Sequence, residues 1–157
     1  MKLDSPVVIT SDTMEADTSG KVVVFRGDVA AKGDFVLCSD ELTMHYSDKD
    51  EVREIVATGN VLIVSGNKTA TATKAVYERA GRTVVLTGRP VVRQCADTVT
   101  GARITINLED DSSVVESSKG GRVRAVIMPE KDCPEEAAGA AGTESDKSGE
   151  DICRGAR

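Results

Sequence analysis

Three glycines, Gly27, Gly59 and Gly88, each interrupt a run of β-formers, and they stand 32 and 29 residues apart. The runs are Val22-Val23-Val24-Phe25-Arg26-Gly27-Asp28-Val29, Ile55-Val56-Ala57-Thr58-Gly59-Asn60-Val61 and Val84-Val85-Leu86-Thr87-Gly88-Arg89-Pro90. A second signature keeps phase with the first: a small residue with apolar residues three and five positions later. Its copies are Ser11/Met14/Ala16, Ser39/Leu42/Met44, Ala72/Ala75/Tyr77 and Gly101/Ile104/Ile106, the last three following their glycines by 12, 13 and 13 positions. One such match is chance. A phase held this long marks a chain of stacked repeat units, each burying its apolar face against the next.

Within each run the apolar period is two, which is the period of a strand. Counted from each glycine, positions −4, −2, +2 and +4 share a face. That face reads Val23, Phe25, Val29, Ala31, then Ile55, Ala57, Val61, Ile63, then Val84, Leu86, Pro90, Val92. The other face takes Arg26, Asp28, Thr58, Asn60, Thr87 and Arg89. Each repeat therefore buries one side and wets the other. The glycine lies on the inner side, where a missing side chain permits a sharp bend or a close backbone approach. Turn signals fall at Ser19-Gly20, Ser47-Asp48-Lys49-Asp50, Ala80-Gly81-Arg82, Asp110-Asp111-Ser112 and Lys119-Gly120-Gly121. No helical periodicity is sustained before Pro129. The reading is all-β, with about fourteen strands, seven per sheet, and a stack on the order of 34 Å long at ~4.8 Å per strand.

After Pro129 the texture changes. Residues 129–157 hold eight acids and four bases, so this part carries −4 of the total −6, and residues 1–128 carry −2. Ala137-Ala138-Gly139-Ala140-Ala141-Gly142 has nothing large to bury. Such a segment cannot offset the entropy of ordering, so 130–157 is expected to be a disordered acidic Ala/Gly-rich tail behind a domain spanning 1–129. A short helix near Pro134–Ala138 is the alternative. Cys38, Cys95, Cys133 and Cys153 form no CxxC pair, and with one histidine in the chain no tetrahedral metal set is available. A Cys133–Cys153 disulfide and four independent thiols are about equally favoured. The opening Met1-Lys2-Leu3-Asp4-Ser5-Pro6 has no apolar core, so no signal peptide is expected; an exported form would be mature with an added start Met.

The composition argues against several classes. No basic cluster exists to neutralise phosphates, and Phe25, Phe35, Tyr46 and Tyr77, the only aromatics, cannot build a stacking platform for nucleic acid. No apolar run approaches the ~20 residues of a membrane-spanning helix. His45 falls on the wet side of its strand, and Asp40-Glu41 and Glu109-Asp110-Asp111 are more simply edge and turn solvation than acid–base pairs. Calcium at Glu109-Asp110-Asp111 would lack an EF-hand pattern. No catalytic residue, metal site or cofactor is expected, and no nucleotide-binding loop is present to supply energy.

Several ordered blocks resemble a known family. They are Pro6-Val7-Val8-Ile9-Thr10-Ser11-Asp12, Gly20-Lys21-Val22-Val23-Val24-Phe25-Arg26-Gly27-Asp28-Val29, Ala75-Val76-Tyr77-Glu78, Val84-Val85-Leu86-Thr87-Gly88 and Gly120-Gly121-Arg122-Val123. Together they span roughly residues 6–129 and resemble the LptA/OstA-like family of periplasmic lipopolysaccharide-transport proteins. The resemblance implies a twisted β-jellyroll of stacked antiparallel strands, open at both ends. It also implies lipopolysaccharide as ligand and end-to-end joining with further copies and with the jellyroll domains of inner-membrane and outer-membrane components. The cysteines and acidic tail depart from it.

A lipid with several acyl chains cannot cross water unshielded at roughly 0.8 kcal/mol per exposed CH₂. Two inward aliphatic faces left open along a seam would shield the chains of lipid A and leave its sugars wet. Val, Ile, Leu and Met line such a groove without plugging it. Val7, Ile9, Phe25, Met44, Ile63 and Tyr77 are the expected groove-lining residues, with the Tyr77 hydroxyl at the wet seam. Three other readings stand beside this one: a jellyroll domain of another component of the same pathway, a β-solenoid adhesin or sugar-binding module, and, most distantly, a hydrolase.

Overall fold

The computed structural model describes residues 6–33, 35–110, 112–129 and Cys153. Among these residues there are twelve strands: β1 (Val8–Thr10), β2 (Thr13–Asp17), β3 (Val22–Lys32), β4 (Val36–Tyr46), β5 (Val52–Ser65), β6 (Lys68–Glu78), β7 (Thr83–Thr87), β8 (Val91–Gln94), β9 (Asp97–Thr100), β10 (Arg103–Asn107), β11 (Ser113–Glu116) and β12 (Arg124–Val126). They pair antiparallel, and the sheet does not close on itself.

The repeat glycines make the fold. The β3–β4 register breaks between Arg26 and Val29, and the β5–β6 register between Thr58 and Val61. At each break, glycine and its successor both take positive φ: Gly27 and Asp28, Gly59 and Asn60, Gly88 and Arg89. Two left-handed residues in a row form a bulge that turns the strand a corner. Gly88 to Pro90 goes further and parts β7 from β8, while β6 continues across to pair with both. A Cβ on Gly27 would collide with the Asp12 side chain between β1 and β2, one on Gly59 with Asp40 of β4, and one on Gly88 with Thr73 of β6. The glycine therefore supplies both a bend and a close approach, and at Gly27 and Gly59 the side chain approached is an exposed aspartate at the corner.

Each of β3 to β6 thus belongs to two layers, which makes sixteen strand segments, eight per layer. Layer one stacks β2, the Val22 end of β3, the Tyr46 end of β4, the Val52 end of β5, the Glu78 end of β6, β7, β10 and β11. Layer two stacks β1, the other ends of β3 to β6, β8, β9 and β12. The count exceeds the expected fourteen by one segment in each layer, and three hairpins of layer two, after Gly33, at Gly66-Asn67 and at Cys95-Ala96, lie outside the turn signals read from the sequence.

The core lies between the layers. Phe25, Val29, Leu42, Ala57, Val61, Ile63, Ala70, Ala72, Ala75, Val84, Leu86 and Ile104 form one buried cluster. The inner positions counted from each glycine all belong to it, pack on it, or are buried as Pro90 and Ala31 are. Truncating a side chain as enclosed as Leu42, Leu86 or Ile104 removes on the order of 2–5 kcal/mol. Layer-one turns are held by short carboxylates: Asp17 accepts from Gly20 N and Ser19 Oγ, and Asp110 from Ser112 N and Oγ. These hydrogen bonds, led by Gly20 N for Asp17 and Ser112 Oγ for Asp110, hold both carboxyls below the usual carboxylate range.

The cysteines correct the sequence expectation. Cys153 bonds to Cys38 of β4, not to Cys133, and Cys95 is also disulfide-bonded. The pairing cannot be reached from spacing, because the two sulphurs are 115 residues apart and meet only through the fold. The other expectations for 130–157, disorder and the short helix near 134–138, lie outside the described residues.

Candidate functional site

The two inner faces do not stay in contact along the whole stack. Near the middle they close around a small apolar cavity of about 40 Å³, bounded by Phe35, Leu37, Ile55, Ala57, Ile63, Ala75, Tyr77, Val84 and Leu108. Toward the β11/β12 end they part into a cleft of about 280 Å³. One wall is Ile63, Ala70, Val92 and Val99 from layer two; the other is Ile104, Ile106, Leu108 and Val115 from layer one. Register explains the wall. Val92 is opposite Ala70 and Val99 opposite Val92, so successive strands present one aliphatic row to the interior. At the strand tips the same row turns polar, with Ser65, Lys68, Gln94 and Asp97 rimming the cleft. Ile127 reaches in beyond β12, where Asp97 Oδ1 accepts from Met128 N at 2.9 Å.

The arrangement is an apolar trough with a wet lip and an open end. It can hold aliphatic chain and leave polar groups at the rim. No cluster of three metal-ligating side chains occurs among the described residues. His45 faces outward 3.9 Å from Glu54, Asp40 accepts from Asn60 at a corner, and Glu41 lies 3.9 Å from Arg26, whose guanidinium is held above its usual range chiefly by Glu15. Each carboxylate is occupied in holding a strand or turn.

The six candidate groove residues do not form one surface. Ile63 lines both cavity and cleft, and Tyr77 lines the cavity. Phe25 belongs to the buried cluster, and Ile9 and Met44 pack on it. Val7 sits against Gly33 at the first edge, away from the cleft. The cleft's other walls, Val99, Val115, Leu108 and Ile127, were not singled out. Val99 and Val115 carry the same alternation, but in strands of four residues, too short for a period to stand out.

The comparisons with known proteins bear on this geometry directly. Residues 8–112 match the family described as LptA/(LptD N-terminal domain) LPS transport protein. The chain belongs to this family. It is 28% identical over 134 residues to the lipopolysaccharide export system protein LptA of Escherichia coli K12, covering 80% of this chain and 72% of that protein, and likewise to the LptA of Shigella flexneri. Among solved structures it superposes on LptH, the LptA-homologous periplasmic component of the lipopolysaccharide transport device of Pseudomonas aeruginosa, with a TM-score of 0.73. That match covers 80% of this chain and 97% of LptH at 20% identity, so it speaks for the fold. The family's twisted, open β-jellyroll is the architecture built here from glycine corners, and the chain is an LptA-like lipopolysaccharide-transport protein.

Proposed function

We propose that this chain is a periplasmic, non-catalytic carrier that bridges inner- and outer-membrane transport components and shields the acyl chains of lipid A in its trough. The observation that carries the reading is the cleft between the layers, aliphatic on both walls and polar at its lip. Its volume lies near the lower end of the roughly 300–1,000 Å³ of small-molecule pockets, enough for part of a lipid. The rest of the path would be supplied by the next jellyroll at the open end. Both ends favour such a neighbour: among the described residues, β1 and β2 at one end and β11 and β12 at the other have a free edge. Side chains there are left uncovered, Met14 at 58% exposure on an inner position and Val114 at 58%.

Purified protein incubated with lipopolysaccharide should co-elute with it in size exclusion, and Val99→Glu, which puts a charge in the trough wall, should abolish capture while keeping the strand spectrum. A folded Val99→Glu protein that captures lipid as well as wild type would remove the trough from the mechanism. An adhesin or sugar-binding module would instead retain polysaccharide freed of its lipid.

A further inference from the structure

Side chains in layer two alternate between the trough and the outside. Ala31, Leu37, Ile63, Ala70 and Val92 share the inner row, so Ala30, Val36, Cys38, Leu62 and Val64 point away from it. An outward row of a two-layer sandwich normally meets water. Here Ala30 is 3% exposed, Val36 7% and Cys38 0%, and they form a second buried cluster with Cys153, on which Leu62 and Val64 pack. Cys153, itself 6% exposed, is bonded to Cys38 and belongs to the stretch after Pro129. We propose that this outer face is a docking surface whose resident occupant is the chain's own C-terminal segment around Cys153, latched by the Cys38–Cys153 disulfide and released when a dithiol reduces it.

Charge and reach both favour this occupant. The charged residues that register pairs on the outer side of layer two are Lys32, Arg93 and Arg124, with Asp40 the acid at its corner, whereas residues 129–157 carry −4. From β9, beside β12, to β4 is four strand spacings, about 19 Å. The twenty-four residue steps from Pro129 to Cys153 span that several times over at ~3.3 Å each. In the release step the dithiol gives two electrons and two protons: the S–S bond breaks, Cys38 and Cys153 become thiols, and the reagent's two thiols close into a disulfide. The freed face is then a compact apolar patch of Ala30, Val36, Leu62 and Val64 around a thiol.

The test uses the full chain and a Cys95→Ser/Cys133→Ser variant, which retains the one latch. A non-reducing peptide map should join Cys38 to Cys153 within one molecule. Dithiothreitol under native conditions should leave the strand spectrum intact, open Cys38 to iodoacetamide, and raise fluorescence of an apolar dye severalfold. Val36→Ser/Val64→Ser should suppress that rise. A map joining Cys38 to any other cysteine overturns the assignment, and a disulfide-linked dimer gives the face to a second copy. Reduced, folded protein whose Cys38 stays protected and which binds no extra dye overturns the release, as does loss of the strand spectrum on reduction, since a latched cover must come off a folded body.

Discussion

Ile63 and Val99 lie on the same inner row of layer two, yet a charge at each should have very different effects. Ile63 is 4% exposed and touches both the small cavity and the cleft, so Ile63→Glu buries an unpaired carboxylate and should cost on the order of 4 kcal/mol. Val99 is half-buried beside the polar rim, where a longer side chain reaches water, and Val99→Glu should cost about 1 kcal/mol. Thr87→Glu, on the outer side of layer one between Lys74 and Arg103, should change stability by less than about 0.5 kcal/mol. Urea midpoints at constant slope measure all three, and equal losses at Ile63 and Val99 would mean that the layers are closed at both. At this scale the sequence was legible where a long strand repeated its alternation, as at Ile55, Ala57, Val61 and Ile63. It was not where a residue packs singly after a turn. Phe35 and Leu108 line the same small cavity from two different hairpins, and no local pattern links them.

At the scale of the element, the corner is the unit that repeats. Gly59 has φ +82° and its hydrogen occupies the one direction in which a methyl would meet the Asp40 side chain. Gly59→Ala should cost about 2–3 kcal/mol, part left-handed backbone and part collision. Because only the collision depends on Asp40, adding Asp40→Ala should recover part of the loss, a coupling that thermal midpoints of the four proteins would reveal. Strict additivity would place the whole effect in the backbone. The corners were legible because a glycine, a polar residue and a β-former recur in phase. The layer-two hairpins were less so. Gly66-Asn67 is a recognisable turn pair that stood unnoticed between two β-rich runs, whereas nothing in the chemistry of Cys95 announces a turn, although its φ is +55°. Missing these hairpins costs strands from the count but leaves the corners, and hence the fold, unchanged.

At the scale of the molecule, the edges that the described residues leave free at the two ends predict growth. Pairing the last strands of one copy with the first strands of the next is a heterologous contact that does not close, so it gives rods of variable length. Light scattering over a wide concentration range should show mass rising steadily, and Val114→Lys/Val126→Lys, which charges exposed apolar positions at the last end, should flatten the rise. A constant monomer mass in the unaltered protein would count against bridging by copies of this chain. The architecture was legible at this level from repeat phase and from family resemblance. The separation of the layers near β11 and β12 was not, because the inner residues there are as aliphatic as those of the narrower middle.

The ladders that hold the stack run along its long axis, since strands lie across it. A rod pulled between two membranes would therefore load every hydrogen-bonded seam in series, and a series fails at its weakest member. Counted over both layers, nine paired positions hold β4 to β5, whereas eight hold β1 and β2 to β3 and seven hold β11 and β12 to their neighbours. Mechanical failure should begin at the tips and spare the interior, so that a broken rod can be rejoined from intact links.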